Sequence, residues 1–152
     1  MSSQEPRVLI VESNDALRAM LFTVLRYQPI SVDTAATADD ALRKVRACDY
    51  ALVMVDLDME HEAGLRFVEA FREERPEAPT FVLAVRNPRD SETYLDAELI
   101  SAVLTKPLEI DTLAEVVREC ALVVPPPAEP LPCPPSESEI RTRMQRGPYV
   151  AN

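Results

Sequence analysis

Residues 49–64 read DYALVMVDLDMEHEAG. From Tyr50 to Val55 every side chain is apolar, without the alternation that marks a half-buried strand. So short a run, rich in valine and leucine, suits a strand buried on both faces, as in a parallel sheet. It ends on Asp56, with Asp58, Glu60, His61 and Glu62 close behind. A core strand therefore runs straight into a cluster of carboxylates.

Working outward, five β-rich runs are visible: RVLIVE (7–12), PISVDTA (29–35), YALVMVD (50–56), TFVLAV (80–85) and ISAVLT (100–105). Helix-period segments separate them. Leu17, Met20, Leu21, Val24 and Leu25 fall on one helical face, with Asn14 placed as N-cap and Asp15 in the first turn. Further helices are expected over 38–47 (Ala38, Ala41, Leu42, Val45), 64–74 (Leu65, Val68, Phe71), 89–98 and 109–122 (Leu113, Val116, Val117, Cys120). The segment 89–98 has only Tyr94 and Leu95 as large apolar residues. Strands alternating with helices imply right-handed crossovers and a doubly wound α/β domain, its sheet covered on both faces. The mixed PISVDTA run belongs at an edge. Gly64 is expected to serve a positive-φ turn before the third helix.

Composition narrows the function. The chain has 152 residues and a formal net charge of −10, all of it carried by residues 1–122. That argues against a nucleic-acid surface, which needs basic groups, and suits a cationic ligand such as a divalent metal. No apolar run approaches the ~20 residues of a bilayer helix, and the start MSSQEPR lacks a leader's apolar stretch, so a cytoplasmic protein without membrane insertion is expected. Cys48, Cys120 and Cys133, odd in number and without metal-ligand spacing, read as unpaired thiols.

Eight of the 14 prolines lie beyond Val124. The expected organisation is an N-terminal extension (1–6), a folded domain (7–122), a Pro-rich linker (123–135) and a tail (136–152). At ~3.1 Å per residue the polyproline stretch would reach about 34 Å. Ser136 and Glu139 have capping-box spacing, and Ile140 and Met144 would share a face of a short helix ending near Gly147. The tail reads as a solvated segment or as a partner-binding helix.

Ligands of open α/β sheets bind beyond the carboxyl ends of the strands. Glu12 and Ser13 end the first strand, Asp56 the third, and Lys106, followed by Pro107, the fifth. Neighbouring first and third strands bring Glu12 and Asp56 together. Two adjacent carboxylates repel unless a cation joins them, and Mg²⁺ suits oxygen donors while keeping several waters. A carboxylate so placed is able to attack a phosphoryl group in line, with Lys106 pairing the transferred oxygens.

VLIVESNDALR, VMVDLDMEHEAG and LTKP, at these separations, resemble the receiver domain of two-component response regulators over residues 7–122. The resemblance implies a flavodoxin-like (βα)5 fold with strand order 2-1-3-4-5. It implies Asp56 as phosphoacceptor, Lys106 as the charge-pairing lysine before a cis proline, and Glu12, Asp56 and the Asp58 backbone carbonyl as Mg²⁺ ligands. It also implies a histidine kinase or phosphotransfer protein as donor, and a downstream protein partner met on the surface of the fourth helix, fifth strand and fifth helix.

Departures from the family are pointed. Ser13 replaces an acid and is either a weak metal ligand or a second helix cap; the side chain of Asp58, or Asp15, is a candidate replacement. The switch hydroxyl becomes Ala84, the switch aromatic becomes Val103, and the loop after Asp56 keeps only Met59 and Gly64 of the usual pattern. The expected function is a single-domain phosphoacceptor signalling protein, not an enzyme. One alternative is a receiver-like interaction module that needs no phosphorylation. A remote one rests on VMVDLDME, which also resembles haloacid-dehalogenase-like phosphatases, with Asp56 as nucleophile and Asp58 as general acid. His61 reads as a surface residue, and Arg86 and Pro88 as loop residues.

Overall fold

Each apolar run becomes a strand of one parallel sheet: β1 (Arg7–Val11), β2 (Ser31–Ala35), β3 (Leu52–Asp56), β4 (Phe81–Arg86) and β5 (Ala102–Thr105). Their order is β2–β1–β3–β4–β5, the doubly wound arrangement expected. The computed structural model describes residues 5–90 and 94–146. Its helices are α1 (Asp15–Leu25), α2 (Ala38–Ala47), α3 (Ala63–Glu74), α4 (Ile110–Leu122) and α5 (Glu137–Arg146).

Alternation along the strands builds two cores. Val8, Ile10, Leu52, Met54, Leu83 and Val85 meet Leu21, Phe22 and Leu25 of α1 and Leu113 and Val117 of α4. Leu9, Val11, Val53, Val55, Val82 and Ala84 meet Val45 of α2 and Phe67, Val68 and Phe71 of α3. Burying each larger aliphatic or aromatic side chain contributes roughly 1.5–3 kcal/mol, so the central strands are rigid posts for whatever stands at their ends. Asn14 caps α1 as expected, its Oδ1 accepting from the Leu17 amide at 2.9 Å. The buried stripe of α1 is turned slightly from the expected one: Phe22 packs inward and Met20 is 43% exposed.

Three expectations are corrected. The helix over 89–98 is not formed among the described residues, which hold a 3-10 turn at Pro88–Asp90 and a turn at 97–99. With Tyr94 84% exposed and only Leu95 and Leu99 packing inward, the segment has too narrow an apolar stripe to hold a helix on the sheet. The face expected for a downstream partner thus lacks the first of its two helices among the described residues, while β5 and α4 are formed. Gly64 lies inside α3 without a positive φ; the left-handed residues are His61 (φ 56°) and Glu62 (φ 54°) just before it. A Cβ on Gly64 would stand 2.3 Å from the Asp56 carbonyl oxygen, so glycine is required by close approach. Cys48 and Cys133 are joined in a disulfide, with Cα atoms 4.9 Å apart, leaving Cys120 as the unpaired thiol among the described residues. They are 85 residues apart, and only the folding-back of the Pro-rich segment brings them together.

The tail departs from a solvated segment. Ser136 and Ser138 are buried, and α5 starts against the outer edge of β2, as a ligature between the tail and the sheet. Ser136 Oγ accepts from the Glu139 amide at 3.2 Å and donates to its carboxylate at 3.1 Å, so the Ser136/Glu139 spacing does act as a cap. The residues beyond Arg146 lie outside the described part. β2 is an edge strand whose Asp33 is nonetheless buried, accepting from Arg7 Nε (2.7 Å), the Tyr50 hydroxyl (2.6 Å) and the Glu137 amide (2.8 Å).

Substituting Gly64→Ala is expected to cost about 1–3 kcal/mol, because the clash is with main chain that cannot rotate aside. Urea unfolding of the variant against the parent chain measures it; an unchanged midpoint would show that α3 does not press on β3 at this point.

Candidate functional site

Strand register decides what meets at the carboxyl rim. Val11 of β1 pairs with Val55 of β3, so Glu12 and Asp56 end adjacent strands side by side. Both are buried, Glu12 at 3% and Asp56 at 6% exposure. Lys106 follows β5, two strands from β3, with its amide bonded to the Arg86 carbonyl at 2.9 Å. Its long side chain crosses the end of β4 and places Nζ 3.1 Å from Asp56 Oδ1 and 3.1 Å from Asp58 Oδ2. The Lys106–Pro107 peptide is cis. The three residues singled out from the sequence thus share one rim.

Neighbouring groups fix the cluster. The Asp58 amide donates to Asp56 Oδ1 at 2.9 Å, and Asp58 Oδ1 accepts from the Asn87 amide at 3.3 Å. Glu12 Oε2 accepts from the Asn14 amide at 3.1 Å. Arg18 donates to the Glu12 carbonyl at 3.0 Å and pairs with Asp15 at 2.6 Å. Of the two candidates to replace the missing acid at Ser13, Asp58 therefore stands in the cluster, whereas the Asp15 side chain is 90% exposed and turned to Arg18. Ser13 itself is exposed, and none of the described hydrogen bonds uses its hydroxyl; Asn14 is the cap. Ala84 is fully buried in β4 and pairs directly with Val103 of β5, which is 37% exposed. Both positions expected to carry a switch are apolar and adjacent. His61 lies exposed in the loop before α3.

Electrostatics follow from the burial. The Glu12 carboxyl is pushed up to about 7 by desolvation first, then by its hydrogen bond to Asp56 and by the Asp56 charge, against the opposing pull of the Asn14 amide and Lys106. Burial alone would lower the Lys106 amine, but hydrogen bonds and charge from Asp58 and Asp56 outweigh it and raise it. Three carboxyl groups thus face one ammonium. The donor chemistry fits a hard divalent cation with few protein ligands: Glu12 and Asp56 are adjacent, buried and oxygen-bearing, and Mg²⁺ binds through one or two carboxylates while retaining waters. Among the described residues no group of three acidic, histidine or cysteine side chains is arranged around a common metal position.

Sequence reading overlooked Arg18 and Asn87, which hold the cluster through main-chain atoms. Their only signal is position, one turn into α1 and one residue past β4. The pairing of the Asp58 carboxylate with Lys106 has no separate mark in the sequence either.

The family model described as the response regulator receiver domain matches residues 8–118. The transcriptional regulatory protein PmrA of Pectobacterium parmentieri is 28% identical over 113 residues, which cover 74% of this chain and 50% of PmrA. The photosynthetic apparatus regulatory protein RegA of Rhodovulum sulfidophilum is 31% identical over 131 residues, covering 83% of this chain and 69% of RegA. The chain thus spans about half the length of PmrA. The response regulator protein TrrA of Thermotoga maritima, solved in complex with Mg²⁺ and BeF, superposes with a TM-score of 0.65 at 23% identity, over 76% of this chain and 98% of that one. Among the described residues no helix is long and apolar enough to cross a membrane.

A pH dependence follows from Glu12. Between its ordinary value of 4.5 and about 7 the folded, metal-free chain holds a proton that the unfolded chain has lost. Stability therefore falls as pH rises through that window, by at most about 1.4 kcal/mol per pH unit. Glu12→Gln should flatten this slope. Urea titrations in chelator across the window test it, and an identical slope in the variant would contradict the assignment.

Proposed function

Because this chain belongs to the response regulator receiver domain family of two-component signalling, we propose that it accepts a phosphoryl group on Asp56 from a histidine kinase or phosphotransfer protein. The observation that carries the reading is the placement of Asp56 between a neighbouring buried acid, Glu12, and the Lys106 ammonium 3.1 Å away. A carboxylate oxygen of Asp56 attacks phosphorus in line, the donor's bond to phosphorus breaks, and the donor leaves with the electron pair. Lys106 gives up part of its pairing with Asp56 and takes the transferred oxygens, supplying charge stabilisation where negative charge gathers. Mg²⁺, when bound, would neutralise the acids and the incoming phosphoryl oxygens. Glu12, Asp56 and the Asp58 backbone carbonyl would hold it, with Ser13 as a weak fourth contact. The output is protein–protein contact in the cytoplasm, with no nucleic-acid surface on this strongly acidic domain.

A second reading has its own observation. Ala84 and Val103 sit side by side and offer neither a hydroxyl nor an aromatic ring to respond to a phosphoryl group. They favour a module that binds its partner with or without phosphorylation. The phosphatase reading is weakened, because the Asp58 carboxylate is engaged by Lys106 and the Asn87 amide as a charge partner, not poised as a proton donor.

Intact mass after incubation with acetyl phosphate and Mg²⁺ tests the first reading. The parent chain should gain one phosphoryl group and Asp56→Asn none. A parent chain that stays unlabelled under conditions that label an ordinary receiver would leave the second reading standing. Restoring the acid with Ser13→Asp should tighten Mg²⁺ binding roughly tenfold or more, as added ligand charge does; calorimetry measures it, and no gain would mean the pocket is not built for a cation.

A further inference from the structure

The C-terminal segment completes the edge of the sheet. The Ser31 amide turns inward to the Pro6 carbonyl, so by alternation the Val32 and Thr34 amides turn outward from β2. Ser138 Oγ accepts from the Val32 amide at 2.8 Å, and Glu137 Oε1 accepts from the Thr34 amide at 3.0 Å. The Thr34 hydroxyl donates to Glu137 Oε2 at 2.9 Å, and the Lys44 ammonium binds both the Thr34 carbonyl and Glu137. The first turn of α5 therefore does for β2 what a sixth strand would do.

The same turn also sets the Glu137 amide on Asp33 and takes the Ser31 hydroxyl on Glu139; beyond it little holds α5. Ile140 is 45% and Met144 74% exposed, and the rest of the helix offers the Arg141 guanidinium over the Phe22 ring at 5.4 Å and Gln145 accepting from Arg26 at 3.1 Å. So short a helix is marginal without strong packing, and its docking depends on how closely the preceding chain is tethered. That chain, the Pro-rich stretch, runs over a cleft of about 770 Å³. Its described polar anchors to the domain are the Leu131 amide on Asp49 and Arg7 on the Pro134 carbonyl. The Cys48–Cys133 bond changes the tether. Only Pro134 and Pro135 separate Cys133 from the Ser136 cap, against the whole stretch 123–135 when the bond is open.

We propose that Cys48 and Cys133 form a reversible redox site that latches α5 across the β2 edge when oxidised and releases it when reduced. The reductant is a cellular dithiol. Its thiolate attacks the exposed Cys133 Sγ, the sulfur–sulfur bond breaks, and the buried Cys48 leaves as a thiolate that takes up a proton. The second thiolate of the dithiol then attacks the mixed disulfide and frees Cys133, which is protonated in turn. Two electrons have passed, and the dithiol has become a disulfide. In a reducing compartment a lasting structural disulfide is rare, whereas one that opens and closes is a sensor. Once released, the outward amides of β2 are an open template for another extended strand.

Amide hydrogen exchange of the full chain, read by NMR with and without dithiothreitol, tests the latch. Val32 and Thr34 should exchange faster on reduction by roughly thirtyfold or more, the low end of what closing a long loop supplies. The interior amides of Val53 and Leu83 should stay slow, showing that the sheet is intact. Cys133→Ser should show the fast rates in either condition, and Glu137→Ala with Ser138→Ala should show them even when oxidised. Equal rates for Val32 and Thr34 in oxidised and reduced parent chain would overturn the proposal. So would three reactive thiols, instead of Cys120 alone, in protein kept under oxidising conditions.

Discussion

Two buried acids at the ends of adjacent strands, Glu12 and Asp56, are the constraint around which the rim is built. Side by side they repel, and the protein holds them there by spending strand rigidity on both. Each stands on a post of fully buried valine, leucine and isoleucine that cannot bend away. The remaining devices answer the same problem. Lys106 reaches across β4 to Asp56 and Asp58, the Asn14 amide binds the Glu12 carboxylate, and the Asp58 amide binds that of Asp56. Gly64 lets α3 begin directly against the Asp56 carbonyl, so the loop that follows the acid is short and closed.

Much of this was legible because parallel strands buried on both faces leave an unmistakable mark. VLIV, ALVMV and FVLAV are continuous apolar runs, and the side chains that end them are then placed by topology alone. Asn14 announced its cap by type and position. What escaped had weaker or ambiguous signals. The segment between β4 and β5 stands where the strand–helix alternation calls for a helix, but Tyr94 and Leu95 are too few to give it a buried face. A lone glycine before a helix is equally the sign of a positive φ or of a close approach, and only the neighbouring backbone distinguishes them. Docking of α5 rests on Glu137, Ser138 and Asp33, polar residues whose partners lie about a hundred positions away and leave no periodic trace. The cysteine pairing was invisible for the same reason.

The arrangement separates two kinds of residue that a phosphoryl-responsive domain would combine. On the proposed reading, the groups that attack and that pair charge are present, and the acid lost at Ser13 has a counterpart in the Asp58 carboxylate. The groups that would carry the event across the sheet are replaced by Ala84 and Val103, small and apolar, on the side where β5 is least covered. On the far edge, β2 is closed by the tail. Among the described residues the two edges of the sheet thus differ: β2 is covered by the chain's own tail, and β5 is partly exposed.

The central claim is that Asp56, with Lys106 beside it, is a seat for a phosphoryl group and not a solvated strand end. A crystal structure of the chain grown with Mg²⁺ and beryllofluoride tests that most directly. The account predicts beryllofluoride bonded to an Asp56 carboxylate oxygen, its fluorines facing the Lys106 amine, and a cation between Glu12 and Asp56. An Asp56 left bare, with its pairing to Lys106 unchanged at the same reagent concentrations, would contradict it.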